Sequence, residues 1–157
     1  MKSMKLYSNT RSRSNTILPL LKELDIEQQV EIVEVPYEEM HQPAYLKINP
    51  MGKVPCLVDG ESVVSETAAI FAYLADKYAE KGLAPALNDP KRGEYLKWLF
   101  FCHGPLTEYM DMKNVGIGVE TMNEKKGSLS FGNEAILLNF IQTGLRQAKP
   151  YLLGENI

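Results

Sequence analysis

The segment 49–70 constrains this chain more than any other. It reads Asn-Pro-Met-Gly-Lys-Val-Pro-Cys-Leu-Val-Asp-Gly-Glu-Ser-Val-Val-Ser-Glu-Thr-Ala-Ala-Ile, so two prolines, a hairpin signal and a helix start follow in close succession. In Pro50-Met51-Gly52 the proline presets its own φ and the glycine admits a positive one, which describes a tight turn. Lys53-Val54 is then extended ahead of Pro55, across an X-Pro bond that is a candidate for cis. Asp59-Gly60 sits between Cys56-Leu57-Val58 and Ser62-Val63-Val64 as a two-residue hairpin turn between strands. Ser65-Glu66-Thr67 precedes an unbroken apolar run, 68–74, and opens a helix from Glu66 to Tyr78. Side-chain acceptors, free N–H groups and the positive end of the helix dipole meet at that start and favour an anionic ligand.

Asn-Pro-Met-Gly-Lys-Val-Pro, Val-Asp-Gly and Ser-Glu-Thr-Ala-Ala-Ile resemble, in order and spacing, the glutathione site of the cytosolic glutathione S-transferases. The resemblance is to the serine-type, bacterial-like members of that family; it spans essentially the whole chain and is strongest before residue 80. It implies a thioredoxin-like α/β N-terminal domain followed by an all-α C-terminal domain.

Taken in order, Lys5-Leu6-Tyr7 is a short first strand, and 8–12 a polar turn before a helix from Ser14 to about Leu24. Ile17, Leu18, Leu21 and Leu24 are expected on one face of it, with Pro19 tolerated near its start. Residues 30–35 alternate apolar and charged side chains as a half-buried strand does. A short helix around 43–47 leads into the segment 49–70, giving βαβ followed by ββα over residues 1–80. Residues 81–90 hold two prolines and a glycine and form the expected linker. The all-helical part, 91–157, begins with a helix carrying Tyr95, Leu96, Leu99 and Phe100, kinked at Gly104-Pro105. Residues 114–132 are expected to be mostly loop. A last helix covers about 133–148, with Leu137, Leu138, Ile141 and Leu145 toward the core, and Pro150 opposes its continuation. Set against the family, the helical part is expected to be incomplete, either because the sequence is partial or because the chain is naturally short.

The chemistry implied by the resemblance is formation of a thiolate from glutathione, whose thiol is only slightly ionised at neutral pH. Ser12 stands where the first strand gives way to the first helix, and its residues alone fit either a helix cap or a hydroxyl donating to sulfur. The resemblance implies the second role, with the cation of Arg13 favouring a thiolate nearby. Tyr7, a rival donor, lies within the strand. The resemblance further implies that the backbone of Val54, ahead of Pro55, pairs with the cysteinyl unit. Thr67 would donate to the γ-glutamyl carboxylate and Glu66 accept from its ammonium, with Lys53 and His41 near the glycyl carboxylate. Caps, turns and solvated loops are the structural alternatives for these positions. Trp98, Phe101, Cys102 and Tyr109 are the candidates for an apolar electrophile site, although aromatic residues at helical spacing also build cores.

Two departures narrow the activity. Ser12-Arg13-Ser14 stands where the maleylacetoacetate isomerase branch has Ser-Ser-Cys, and no cysteine occupies the thiol-activating position that the redox branches use. Conjugation of glutathione to small hydrophobic electrophiles, as in detoxification, is the expected activity. A non-catalytic, transferase-like binding or assembly module is the alternative. A net charge of -3 without a basic patch argues against nucleic acid, and no run approaches the roughly 18 apolar residues of a membrane span. Two cysteines, Cys56 and Cys102, without a leader-like apolar start, suggest a reducing, cytoplasmic setting. No spacing of His, Cys, Asp or Glu suggests a metal. A homodimer is expected, closed through the helix from Glu66 to Tyr78 and the long helix after Pro90.

Overall fold

In Met4–Ser8 (β1), alternation along the strand sends Met4, Leu6 and Ser8 to a buried face, and two neighbours close its edges. A computed structural model describes residues 3–155, in two units that divide between Leu83 and Ala84. In the first, Val30–Glu34 (β2) pairs parallel with β1, Cys56–Asp59 (β3) pairs antiparallel with its other edge, and Ser62–Ser65 (β4) pairs with β3. The sheet order is β2-β1-β3-β4, and with its helices it is the thioredoxin-like arrangement that the resemblance implies.

The first helical segment begins as a 3-10 turn over Arg13–Thr16 and continues as Ile17–Glu23 (α1). Ile17, Leu20, Leu21 and Leu24 are its buried face, at the i, i+3, i+4, i+7 spacing of one helical stripe. Leu18 is exposed: it lies about 100° around the helix from Ile17, and Leu20 takes the place expected for it. Val30, Leu57, Ile70 and Leu74 complete this core, each worth roughly 1.5–3 kcal/mol by removal from water. β2 is an edge strand, and Ile32 on it is exposed despite the alternating pattern.

Pro43–Leu46 (α2) carries the buried Tyr45, and Thr67–Lys77 (α3) follows β4. Asp59, at the β3–β4 turn, accepts from the Tyr73 hydroxyl at 2.8 Å and pairs with Lys77, tying the hairpin to α3. Burial pushes the Asp59 carboxyl up, but the bonds from Lys77 and Tyr73 together hold it below the ordinary aspartate value.

The second unit is helical among its described residues. Arg92–His103 (α4) and Pro105–Asn114 (α5) are separate helices, where a single kinked one was expected. Gly104, at φ -117 and ψ -95, lies outside helical space, and Pro105 has no N–H with which to continue the ladder of α4. The stretch expected to be mostly loop contains Val119–Glu124 (α6), which the buried Met122 anchors against Phe131 and Leu137. Glu134–Gln147 (α7) is capped by Asn133, whose side chain accepts from the Ile136 N–H at 2.9 Å. Its inward stripe is Leu137, Phe140, Ile141 and Gly144, whereas Leu138 and Leu145 are exposed, contrary to the sequence expectation. Gly144 abuts the ring of Trp98: a β-carbon there would stand 2.2 Å from the indole.

Candidate functional site

The strand register brings three segments to one end of the sheet. Tyr7 pairs with Cys56, and Cys56 with Ser65, so the C-terminal end of β1, the start of β3 and the C-terminal end of β4 lie side by side. Three loop segments leave that end: 9–12, then 53–55 leading into β3, and Ser65-Glu66-Thr67 leading into α3. Ser12, Val54, Pro55, Glu66 and Thr67 are therefore gathered by topology alone, although they are spread over more than fifty residues of sequence.

Ser12 caps the 3-10 turn, its Oγ accepting from the Ser14 N–H at 3.1 Å, and its own N–H donates to the Asn9 carbonyl at 3.0 Å. The Asn9 side chain fixes this loop from below: its amide donates to the Val35 carbonyl at 2.9 Å, and its Oδ1 accepts from the Arg11 N–H at 2.9 Å. Ser12 is half-buried and Arg13 exposed, so the hydroxyl stands at the boundary between core and solvent. Tyr7 is half-buried within β1, with its ring 5.8 Å from that of Tyr45.

The turn at 49–52 is built as the sequence reading describes, with the Gly52 N–H on the Asn49 carbonyl at 2.9 Å and Gly52 at φ 61. That glycine is required, since a β-carbon would meet His41 Nδ1 at 2.6 Å and the Met40 carbonyl at 2.9 Å. His41 is exposed and rests on this turn, next to the exposed Lys53. The Lys53 carbonyl accepts from the Tyr45 hydroxyl and from the Asn49 amide, both at 2.7 Å, which fixes the peptide entering Val54; the Val54–Pro55 bond is cis. Burial, then the neighbouring Cys56, pushes the Tyr45 phenol up to about 12, so it remains a donor at neutral pH.

Glu66 stands at the N-cap of α3 with φ 69 and ψ 125, and its carbonyl accepts from the Ile70 N–H at 3.0 Å. Its side chain is exposed, while Thr67, the first residue of α3, is half-buried. A carboxylate and a hydroxyl thus project from adjacent positions. The end of the sheet combines an anion acceptor and donors at Glu66-Thr67, backbone groups at Val54, cationic side chains at Lys53 and Arg13, and a hydroxyl at Ser12. Such a set suits an extended, zwitterionic peptide bearing a nucleophile near its middle.

The four candidates in the helical unit have different surroundings. The rings of Trp98 and Phe101 are 5.6 Å apart, and both stack on Phe140 of α7, at 4.9 and 4.6 Å. Tyr109 packs edge-on against Phe131 and donates to Glu134. Cys102 is exposed on α4. Phe101 and Tyr109 both pack against the cluster of Met122, Phe131 and Leu137, whereas Trp98 meets Phe101 and Phe140. Among the described residues no three or more His, Cys, Asp or Glu side chains are grouped to hold a metal, and no helix is long and apolar enough to cross a membrane. Sequence reasoning did not assign Asn9, Tyr45 or Asn49, which act by bracing backbone; the only signal for them was polar or phenolic side chains beside the assigned turns.

The family profile described as the glutathione S-transferase N-terminal domain matches residues 2–76. Over 86 residues the chain is 44% identical to a zeta-class glutathione S-transferase of Euphorbia esula, covering 53% of this chain and 37% of that protein. The matched stretch thus spans well under half the length of that relative. Among solved structures, a ternary complex of BphK, a bacterial glutathione transferase, superposes with a TM-score of 0.72 at 28% identity, over 98% of this chain and 75% of the other. A glutathione transferase of Phanerochaete chrysosporium solved with oxidized glutathione has a TM-score of 0.76 at 22% identity, over 100% of this chain and 73% of the other, and shares the fold.

Proposed function

Because this chain is, through residues 2–76, a member of the glutathione S-transferase family, we propose that it binds glutathione and transfers its thiolate to small hydrophobic electrophiles. The observation that carries this reading is the convergence of Ser12, Val54 and Glu66-Thr67 on one end of the sheet. Glu66 accepts from the γ-glutamyl ammonium and Thr67 donates to its carboxylate. The Val54 backbone pairs with the cysteinyl unit, and Lys53 and His41 meet the glycyl carboxylate. Ser12 donates to the sulfur, with the charge of Arg13 adding to the stabilisation of the thiolate. Serine at this position supports conjugation over disulfide exchange, for which a cysteine would be needed. The relative from Euphorbia esula, 44% identical over 86 residues and named a glutathione S-transferase, supports glutathione as co-substrate. The electrophile is assigned to the aromatic run of α4 and α5, from Trp98 through Phe101 and Cys102 to Tyr109. A cytoplasmic homodimer acting in detoxification completes the reading.

Comparing Ser12→Ala with the parent in chlorodinitrobenzene turnover, with glutathione binding followed by calorimetry, tests this function. Loss of turnover by about tenfold or more, with binding retained, is the expected result for a lost bond to a developing charge. Equal turnover removes the role of Ser12. A second reading, a non-catalytic binding or assembly module, draws on the packing of Trp98 and Phe101 against Phe140, which uses them as core. Glutathione binding without turnover in the parent would favour it.

A further inference from the structure

Beneath Ser12 lies a chain of hydroxyls that the glutathione reading does not use. Ser14 Oγ is 2.6 Å from Ser12 Oγ and 2.7 Å from Ser8 Oγ, and it accepts from the Asn9 N–H at 3.0 Å. Ser8 and Ser14 are both buried, at 2% and 1% exposure, whereas Ser12 reaches the surface. We propose that Ser14 is a positioning residue for Ser12, and that the Ser8–Ser14–Ser12 chain is polarised so that the Ser12 proton points out toward the incoming sulfur. The proposal rests on the glutathione reading above.

The direction follows from counting protons and lone pairs. Each hydroxyl has one proton to give and two lone pairs to fill. Among the described residues, the partner of the Ser8 hydroxyl is Ser14 Oγ, so a buried Ser8 proton is satisfied by donating there. Ser14 Oγ then accepts from Ser8 and from the Asn9 N–H, which fills its lone pairs and leaves its own proton to give. Ser12 Oγ at 2.6 Å is a closer acceptor than the Asn9 carbonyl at 3.2 Å. Ser12 Oγ accepts in turn from the Ser14 hydroxyl and the Ser14 N–H, so its remaining group is a proton directed out of the protein. Reversing the chain strands the Ser8 proton in the core, at the cost of an unmade buried hydrogen bond. Linked hydroxyls polarise one another, so Ser12 donates more strongly within the chain than a lone serine would.

The test titrates the ultraviolet absorbance of the glutathione thiolate bound to the parent, Ser14→Ala, Ser8→Ala, Ser12→Ala and Ser12→Ala/Ser14→Ala, with S-methylglutathione binding measured in parallel. Ser14→Ala is expected to raise the pKa of the bound thiol by about one unit, the size of a weakened bond to a charged acceptor. S-methylglutathione, which has no proton to lose, should bind Ser14→Ala as it binds the parent. Ser8→Ala leaves the contact of Ser14 with Asn9 in place and should raise the pKa in the same direction by less. In the Ser12→Ala background, Ser14→Ala should add nothing. An unchanged thiol pKa in Ser14→Ala, an equal shift without Ser12, or a parallel loss of S-methylglutathione binding overturns the proposal and leaves the glutathione reading standing. If Ser14→Ala does not fold, an unchanged pKa in Ser8→Ala overturns it instead. A parent that binds no glutathione overturns the reading itself, and the role of Ser14 falls with it.

Discussion

Glu66 holds a backbone conformation, φ 69 and ψ 125, that a residue with a β-carbon rarely adopts and that costs of order 1–3 kcal/mol. Its place between β4 and α3 enforces that turn, because Ser65 is fixed by its pairing with Cys56 and Thr67 already belongs to the helix. Glycine would relieve the strain and alanine would not, which separates backbone from side chain. Glu66→Gly is expected to raise stability by about 1 kcal/mol in urea unfolding, and Glu66→Ala to give no such gain. Both should lose about tenfold in glutathione affinity by calorimetry, for one charge-assisted contact removed. A Glu66→Gly chain that is less stable yet binds glutathione like the parent refutes both assignments. The place of Glu66 at a helix start was legible in the sequence, whereas its role toward glutathione comes from the resemblance, because local spacing alone describes a cap equally well. Its backbone strain was not legible, because the surrounding sheet imposes it. The same holds for Ser14, Asn9, Tyr45 and Asn49, whose roles consist of buried hydrogen bonds to segments distant in sequence or hidden by folding.

At the scale of elements, α1 and α7 show where periodicity informs and where it misleads. Both helices were legible as helices, and in both an apolar residue next to a core position, Leu18 beside Ile17 and Leu138 beside Leu137, was assigned to the core. Adjacent residues differ by about 100° around a helix, so only one of each pair can lie at the centre of the stripe. On α7 the stripe ends in Gly144, which no hydrophobic pattern reveals because its function is the absence of a side chain. The α6 helix was hidden for a related reason: one buried methionine in a polar stretch leaves no period to read. Gly144 yields a quantitative expectation. Alanine in a helix ordinarily gains up to about 1 kcal/mol over glycine, but here its β-carbon would sit 2.2 Å from the Trp98 ring, well inside contact distance. Overpacking of this kind costs about 1–3 kcal/mol. Gly144→Ala is therefore expected to lose about 1 kcal/mol in net stability. Trp98 is the sole tryptophan, so its fluorescence reports both the unfolding midpoint and the disturbed contact in one titration. An unmoved or raised midpoint with an unchanged emission spectrum would show that α4 and α7 do not meet at this glycine.

For the whole molecule, the helical unit leaves more apolar surface open than its own core can use. Phe100 on α4 is 57% exposed, and Ile136, Leu138 and Leu145 on α7 are 56%, 46% and 64% exposed. Water is excluded from such side chains at a gain of about 25 cal/mol per Å², so a surface that covers several of them at once is strongly favoured. A second copy of the chain is the expected cover. An association about a twofold axis uses one patch twice and closes without growing into a fibre. Phe100 is the residue on which to test it, being large, exposed and absent from the glutathione site. Light scattering at micromolar concentration is expected to give twice the 17.7 kDa of one chain for the parent. Phe100→Glu, which sets a charge against its own symmetry mate or against the partner's apolar surface, should shift the mass toward a single chain while leaving glutathione binding unchanged. A parent mass that stays at 17.7 kDa on concentrating would show that these faces do not join two copies. A doubled mass that Phe100→Glu leaves intact would move the contact away from this face of α4.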